Sequence, residues 1–197
     1  KNLTKKFDES NILDNVSIDC KTNEITSIFG GNGTGKSTLL QIIFGSIKAD
    51  KCEIIINNIK FNQKNIFRHL KIGYLPQNSF LPKSLKVSDI IQLFLQNGEK
   101  QNIVFYSPNI YKIQDKKIGN LSIGELRYLE FLLISNLEHS FLLLDEPFSM
   151  IEPLYIEIIM DRLKSIKKVK GIILTDHYFN DVLNITDKSY LIKDGKL

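Results

Sequence analysis

Hydrophobic and polar positions along the chain alternate between two kinds of segment. Short runs rich in β-branched and aliphatic residues, such as "EITSIF", "CEIIIN", "KIGYLP" and "FLLLDEP", are typical of strands. Longer segments, such as "STLLQIIFG", "SDIIQLFLQ" and "PLYIEIIMDRLKSIKK", have the apolar spacing of helices. The alternation of strands with helices predicts an α/β fold with a largely parallel central sheet.

Several boundaries of these segments can be placed from single residues. Gly45 is predicted to end the first helix, Ser88 to cap the second, and Pro153 to begin the long helix that follows "FLLLDEP". Residues 78–137 are predicted to be mainly helical, and "GIILT" and "KSYLIKDGKL" to complete the sheet. We also expect "NVSIDC" and "EITSIF" to form a hairpin around the turn "KTN".

Composition and charge narrow the class of protein. The chain has 197 residues, 43 % of them apolar, which suits one sizeable domain. It has no apolar run of the ~18 to 20 residues that cross a bilayer and no signal-peptide pattern, so the sequence predicts a cytosolic protein. Cys20 and Cys52 are expected to be reduced thiols. The net charge is only +4, and the basic clusters lack interleaved aromatic residues, so nucleic acid is not the expected partner.

The stretch "GGNGTGKS" matches the phosphate-binding pattern of a glycine, four residues and then Gly-Lys-Ser, between a strand and a helix. Glycines let phosphate oxygens approach bare backbone N–H groups, while Lys36 would neutralise the β- and γ-phosphates and Ser37 would bind Mg²⁺. A plain glycine-rich turn is the alternative, but it does not call for a lysine where a cation opposes the helix dipole. The residues expected to contact nucleotide are Gly30, Gly31, Asn32, Gly33, Thr34, Gly35, Lys36, Ser37 and Thr38.

Two carboxylates follow the apolar run of "FLLLDEP". A buried parallel strand that ends in acidic residues places them at the carboxyl edge of the sheet, where ligands bind. Asp145 is expected to bind Mg²⁺, and Glu146 to orient and polarise the attacking water. Capping of the next helix is the alternative for either residue alone.

With these pieces placed, the sequence resembles the ATP-binding cassette (ABC) ATPases, from "LTKKF" to "IKDGKL". "GYLPQN" is similar to the family's Q-loop, which implies that Gln77 approaches Mg²⁺ and the attacking water. "LTDHYFN" places His177 where the family has its switch histidine, a contact to the γ-phosphate. Phe7 matches the aromatic residue that stacks on adenine. The alternatives are that Gln77 is an ordinary polar loop residue, that His177 is structural, and that Phe7 packs in the core.

"LSIGE" occupies the place of the family signature and opens a helix. The resemblance implies that Ser122, Gly124 and Glu125 bind the nucleotide of a second subunit, so that two cassettes sandwich two nucleotides head to tail. The N-terminus of a helix also attracts an anion, because it carries free N–H groups and the positive end of the dipole. Ser122 and Glu125 equally fit a capping box, and both readings can hold at once.

The resemblance also implies an architecture and a function. The fold would be a P-loop NTPase core with a mainly parallel sheet, an antiparallel β subdomain and a helical subdomain. Residues 1–197 would form one cassette, with 1–77 and 138–197 as the nucleotide-binding core and 78–137 as the helical signature subdomain. The cofactors would be ATP and Mg²⁺. The protein would form a homodimer on binding ATP, hydrolyse ATP, and power a separate transmembrane permease at the cytoplasmic face of the membrane. "DEPF" and "TDHYFNDVL" are similar to cassettes of the lipopolysaccharide-export type.

The chain departs from the family pattern at three positions. Ile123 stands at the signature's first glycine, Glu152 in "SMIEP" replaces an aspartate, and Gly31 replaces a proline. We expect hydrolysis to survive because the catalytic set is complete, with a rate that the departures can lower. Two other functions stay open: a soluble ABC ATPase associated with nucleic acid or translation, and a regulatory cassette that binds ATP without turning it over. The catalytic set is Lys36, Gln77, Asp145, Glu146 and His177.

Overall fold

A computed structural model describes residues 1–8, 10–63, 66, 69, 71–177 and 182–197. Residues 178–181 of the segment "TDHYFNDVL" lie outside this described part. The strands are β1 (Leu3–Phe7), β2 (Ser10–Val16), β3 (Ile25–Phe29), β4 (Ile54–Ile56), β5 (Ile59–Phe61), β6 (Ile72–Leu75), β7 (Phe141–Asp145), β8 (Gly171–Thr175) and β9 (Lys188–Leu191). The α-helices are α1 (Lys36–Phe44), α2 (Val87–Phe94), α3 (Gly98–Phe105), α4 (Ile110–Ile113), α5 (Ile123–Asn136) and α6 (Pro153–Ile166).

The central sheet has the strand order β6-β7-β8-β3-β9, and every neighbouring pair is parallel. Every residue of β3 and β8 is buried. Strands that are covered on both faces are rich in apolar residues, and the run at 172–174 shows this for β8. The predicted α/β class with a parallel central sheet is confirmed.

The predicted hairpin of "NVSIDC" with "EITSIF" is wrong. Strand β2 ends at Val16 and pairs antiparallel with β1, whereas β3 pairs in parallel with β8 and β9. The β3 strand is buried on both faces, so it belongs in the covered sheet and not in a hairpin with one solvated face. A second antiparallel pair joins β4 and β5.

The predicted ends of two helices are confirmed. Gly45 caps the C-terminus of α1 with φ 94°, and a Cβ there would lie 2.9 Å from Cγ2 of Ile66. Glycine therefore serves this left-handed position without strain. Pro153 is the first residue of α6, where its missing N–H group has no helical partner to lose.

Ser88 does not cap α2 as predicted. The N-cap is Lys86, which has no side-chain capping bond, and Ser88 already lies in the first turn. Its backbone N–H group donates to the carbonyl of Gln114 at 3.0 Å. A tertiary hydrogen bond thus satisfies an N–H group that a cap would otherwise serve.

Residues 78–137 contain α2 to α5 and are mainly helical, as predicted. A buried apolar cluster joins these helices to the sheet and to α6, and includes Ile90, Val104, Phe131, Leu144 and Ile159. The longest described helices, α5 and α6, have 14 residues each. No described helix is both long enough and apolar enough to cross a membrane.

Candidate nucleotide-binding site

The carboxyl ends of three neighbouring strands meet at one cleft of about 520 Å³. The glycine-rich loop follows β3, the two carboxylates stand at the end of β7, and His177 follows β8. This edge is where open α/β sheets bind their ligands. The cleft is lined by Phe7, Ile12, Asn32, Gly33, Gly35, Lys36, Ser37, Thr38, Gln77, Glu146 and His177.

The glycine loop turns directly into α1. Gly35 is the N-cap of this helix with φ 99°, and a Cβ there would lie 2.9 Å from Cδ2 of Leu13 and 3.1 Å from the carbonyl oxygen of Ile12. Only glycine fits both the backbone angle and the space. The free N–H groups and the positive dipole end of α1 therefore face a cleft that suits phosphate.

Lys36 lies inside this loop, with only 5 % of its surface exposed. Its Nζ donates to the carbonyl oxygens of Gly30 at 2.8 Å and Gly31 at 2.9 Å. Thr34 Oγ1 also donates to the carbonyl oxygen of Gly31, at 2.9 Å. The ammonium group is thus held at the cleft by neutral carbonyls that phosphate oxygens can replace. Gly30 and Gly31 bind the lysine through their carbonyl oxygens, and Thr34 binds the carbonyl oxygen of Gly31. None of the three lines the cleft.

Asp145 is fixed by three hydroxyl groups. Ser37 Oγ and Thr175 Oγ1 donate to its Oδ1 at 3.0 and 2.8 Å, and the hydroxyl group of Tyr74 donates to its Oδ2 at 3.1 Å. Burial, and then the neighbouring carboxylate, raise the pKa of Tyr74, which keeps that hydroxyl group a donor. The carboxylate is 1 % exposed and can shift little.

The donor set at Ser37 and Asp145 fits Mg²⁺. A hydroxyl group and a carboxylate oxygen lie 3.0 Å apart, and oxygen is the ligand type that this ion prefers. Among the described residues, no three His, Cys, Asp or Glu side chains gather to hold a metal unaided. An ion here would take its other ligands from phosphate and water.

Glu146 joins two other predicted catalytic residues. Gln77 Nε2 donates to its Oε2 at 2.9 Å, and His177 Nε2 lies 2.8 Å from its Oε1. The carboxylate is only 8 % exposed, and its backbone has φ 51°. Non-glycine residues rarely adopt that conformation, and such strain concentrates at functional sites. The structure therefore presents one oriented carboxylate at the wall of the cleft.

Phe7 lies in the same cleft. Its side chain is 44 % exposed, and Lys5 Nζ lies 4.7 Å from the ring centroid. Phe7 therefore does not pack in the core, which was the alternative for this residue. An exposed ring beside the phosphate loop leaves a π-face free for an aromatic base.

Ser122, Gly124 and Glu125 are not brought to this cleft. Ser122 Oγ accepts from the N–H group of Glu125 at 3.1 Å, and Glu125 Oε2 accepts from the N–H group of Ser122 at 2.8 Å. These two bonds complete the capping box at the start of α5. A Cβ on Gly124 would lie 3.5 Å from Tyr155 Cδ2, so the start of α5 packs against α6.

The sequence did not single out Tyr74, Thr175 or Arg127. Thr175 ends the buried strand β8, and a polar residue at the carboxyl end of such a run could have indicated it. Tyr74 lies inside the apolar strand β6, and Arg127 lies on the middle of α5. Their contacts with the site depend on tertiary packing, for which the local pattern carries no signal.

Comparison with known proteins identifies the family. A family model described as "ABC transporter" matches residues 13–149. The lipopolysaccharide export system ATP-binding protein LptB of Haemophilus influenzae is 27 % identical, over 100 % of this chain and 86 % of the relative. LptB of Escherichia coli K12 is also 27 % identical, over 100 % of this chain and 87 % of the relative. An uncharacterized ABC transporter ATP-binding protein of Rhizobium meliloti is 28 % identical, over 99 % and 76 %.

Solved structures agree on the fold. An ATP-binding subunit of an ABC transporter superposes with a TM-score of 0.89 at 22 % identity, covering 100 % of this chain and 86 % of that one. A dimeric ATP-binding cassette in a post-hydrolysis state, bound to ADP and Pi, superposes with a TM-score of 0.86 at 26 % identity, covering 100 % and 94 %. The family model spans well over half of this chain. The chain belongs to the ABC transporter family, as one of its ATP-binding and ATP-hydrolysing cassettes.

Proposed function

We propose that this cassette powers a transporter: two copies close head to tail on ATP, hydrolyse it with Mg²⁺, and drive a separate transmembrane permease. The observation that carries the proposal is the Glu146 carboxylate, whose two oxygens are bound by Gln77 and His177 at the wall of the phosphate cleft. This arrangement matches what hydrolysis of a phosphoanhydride requires, namely a fixed group that orients water.

The phosphate-binding part has three components. Backbone N–H groups at the start of α1 would bind phosphate oxygens, and Lys36 would exchange its two loop carbonyls for the β- and γ-phosphates. Ser37 and Asp145 would hold Mg²⁺, which supplies positive charge to oxygens that gain negative charge during transfer. Phe7 would stack on adenine from the rim of the cleft.

The water-activating part is centred on Glu146. Its oxygens point to neighbours that hold the carboxylate in one orientation, so that little reorganisation is needed when water arrives. Gln77 supplies a side-chain amide that can approach Mg²⁺ and the attacking water, and His177 can contact the γ-phosphate. Each of these roles is assigned to a side chain that lines the cleft.

The signature segment supports a second copy as partner. Ser122, Gly124 and Glu125 stand at a helix N-terminus outside the cleft, so they do not serve the nucleotide of their own chain. In the proposed homodimer they complete the nucleotide site of the other subunit. The related cassette bound to ADP and Pi is dimeric.

The membrane partner is proposed from the relatives. The matched proteins of Haemophilus influenzae and Escherichia coli are named as components of lipopolysaccharide export. We propose that residues 1–77 and 138–197 form the nucleotide core, and that 78–137 with Gln77 docks a permease at the cytoplasmic face. A soluble, non-transport ABC ATPase is the less favoured function, since these named relatives belong to transporters.

Steady-state Mg²⁺-ATPase activity tests the proposal, with the wild type and Glu146→Gln measured side by side and dimerisation followed by light scattering. We expect the substitution to lower turnover by a factor of about 10² or more, as for loss of a general base, and to trap an ATP-bound dimer. Glu99→Gln, at an exposed residue in the first turn of α3, is the matched control and should keep wild-type turnover.

Three outcomes would count against the proposal. If Glu146→Gln hydrolysed ATP as fast as the wild type, the Glu146 carboxylate would not take part in hydrolysis. Turnover without any ATP-dependent dimer, in both the wild type and the variant, would remove the head-to-tail arrangement. Absence of turnover in the wild type, even with a membrane partner, would favour the regulatory cassette.

A further inference from the structure

One arginine of α5 reaches both loops that carry the proposed water-activating residues. Arg127 is 6 % exposed. One terminal nitrogen of its guanidinium group, Nη1, donates to the carbonyl oxygen of Pro76, directly before Gln77. The other, Nη2, donates to the carbonyl oxygen of Asp145 and, at 3.2 Å, to that of Glu146. A single side chain thus ties α5 to the main chain at the ends of two neighbouring strands, beside Gln77 and at Glu146.

Glu130 holds this arginine from one turn further along α5. It is 1 % exposed, and its Oε2 lies 3.7 Å from Nη1 of Arg127. Its Oε1 accepts from the N–H group of Phe80 at 3.2 Å, so it also binds the segment that follows Gln77. Burial lowers the pKa of Arg127 and raises that of Glu130, and the attraction between the two opposes both shifts.

This buried pair is poorly explained by stability alone. Taking two charges out of water costs free energy that their attraction often does not recover, and apolar replacements of similar volume are frequently as stable. The partners of the pair are main-chain groups of loops at the cleft. A hydrogen bond to a carbonyl oxygen holds the main chain, whichever side chain the residue carries. These contacts therefore fix the position of the backbone itself.

Glu146 is the group that most needs such support. Its φ of 51° must be imposed by the surroundings. Its N–H group donates to the carbonyl oxygen of Thr175 at 2.9 Å, and its own carbonyl oxygen accepts from Arg127. Both peptide groups of the residue are therefore anchored, and the direction of the carboxylate follows from them.

We propose that Arg127, held by Glu130, is a positioning residue for ATP hydrolysis that sets Glu146 and the Gln77 loop in place and ties both to α5. The proposal rests on the proposed function. Since α5 is a continuous helix that begins beside Ser122, a shift of its first turn is carried to Arg127. The helix that would meet the second subunit's nucleotide thereby also governs the water-activating groups of its own cleft.

Arginine is suited to this task and lysine is not. The guanidinium group is a planar fork that directs N–H groups to several acceptors at once, whereas an ammonium group is a point charge on a flexible stem. Arg127→Lys keeps the charge that Glu130 needs but cannot reach all three carbonyls in the same geometry. It is therefore the informative variant, and Arg127→Met is the second.

The experiment measures kcat, KM and the Kd for ATP of Arg127→Lys, Arg127→Met and Glu146→Gln, together with thermal unfolding. We expect both arginine variants to bind ATP within about twofold of the wild type and to lose kcat by about tenfold to a hundredfold, the cost of small misplacements of reacting groups. Combined with Glu146→Gln, either variant should lower the residual turnover by less than it lowers wild-type turnover, because one of the two positioned groups is already gone.

Lys170→Met is the matched control. Lys170 is another buried cation that donates to a main-chain carbonyl, that of Leu137 at 2.5 Å, but it does not line the cleft. Its removal should leave kcat unchanged. If Arg127→Met does not fold, Arg127→Lys carries the test alone.

Three results would overturn the positioning role: a kcat of Arg127→Lys within twofold of the wild type, an equal loss in Lys170→Met, or a full additional loss in the Glu146→Gln background. If Glu146→Gln itself turns over normally, the proposed function fails first and the positioning role fails with it. If only Glu146→Gln is impaired, the proposed function stands and the role of Arg127 is removed.

Discussion

At the scale of the residue, Ile123 is the substitution that most changes the signature segment. It is the first residue of α5, directly after Ser122, and its side chain is 60 % exposed. In the proposed dimer, a branched apolar side chain stands where close approach to the other subunit's γ-phosphate would favour glycine. We expect its bulk to keep Ser122 and the helix N-terminus away from that phosphate in the proposed dimer.

We therefore predict that Ile123→Gly strengthens ATP-dependent dimerisation and raises turnover. The free energy of unfolding should fall by less than about 1 kcal/mol, the difference in helix propensity. Light scattering and steady-state ATPase assays measure both effects. Ile103→Gly, at a 45 % exposed position of α3, is the control and should not raise turnover. A weaker dimer in Ile123→Gly would show that the isoleucine is a contact and not an obstacle.

Residue identities in the cleft were predictable wherever a motif follows a strand. The glycine loop after β3, the carboxylates at the end of β7 and His177 after β8 fall at one sheet edge because parallel strands end there together. Thr175 and Tyr74 touch the same carboxylate of Asp145 from neighbouring strands. That contact depends on strand order, which single motifs do not encode.

At the scale of the element, the N-terminus of α6 lacks a side-chain capping bond. Glu152 is its N-cap with φ −70° and ψ 148°, the geometry of a good cap, but its side chain makes no capping bond. Its carboxylate carries one methylene group more than that of aspartate, which is among the preferred N-cap residues.

Glu152→Asp should therefore raise the free energy of unfolding by about 0.5 to 1 kcal/mol. Urea unfolding at neutral pH measures the gain, and Glu157→Asp, at an exposed position inside the same helix, should give none because aspartate is the poorer helix former there. If Glu152→Asp is no more stable than the wild type, the new side chain has not reached the N–H groups of the first turn.

The elements that sequence reasoning misplaced share a physical cause. Ile25–Phe29 reads as a strand, but its partners are Gly171–Thr175 and Lys188–Leu191, far along the chain. Local pattern gives a strand's burial and not its neighbour, so the nearest strand-like segment was chosen. Ser88 had the right chemistry for a cap, but a tertiary bond to Gln114 serves its N–H group.

At the scale of the whole molecule, Lys170 sets a pH dependence. Burial lowers the pKa of Lys170 to about 8, from 10.5. The unfolded chain binds more protons than the folded chain between these values, so the free energy of unfolding rises with pH there, by at most about 1.4 kcal/mol per unit. Burial raises the pKa of Cys20 to about 11, from 9.0, which makes stability fall above pH 9. Between pH 8 and 9, Lys170 changes the free energy of unfolding and Cys20 does not.

We predict that Lys170→Met removes the rise in stability between pH 8 and 9. Urea unfolding across that window measures the slope for the wild type and the variant. Lys168→Met, at an exposed lysine two residues before, is the control and should keep the wild-type slope. An unchanged slope in Lys170→Met would mean that the lysine keeps its proton in the folded protein.

The fold class was readable from the sequence, because strands and helices alternate in a way that few architectures allow. The strand order β6-β7-β8-β3-β9 was not. It depends on how the helices pack on the two faces of the sheet, and the buried cluster that joins α2, α3 and α5 to the sheet has no counterpart in any single segment.

That strand order has a consequence for protein synthesis. The glycine loop and its strand β3 are made early, but both neighbours of β3 lie at residues 171–191. A nascent chain on the ribosome therefore carries the whole phosphate-binding loop long before the sheet that supports it can close, and the contacts that close it are among the slowest to form. Cellular ATP can stabilise this protein only in the last stage of its folding.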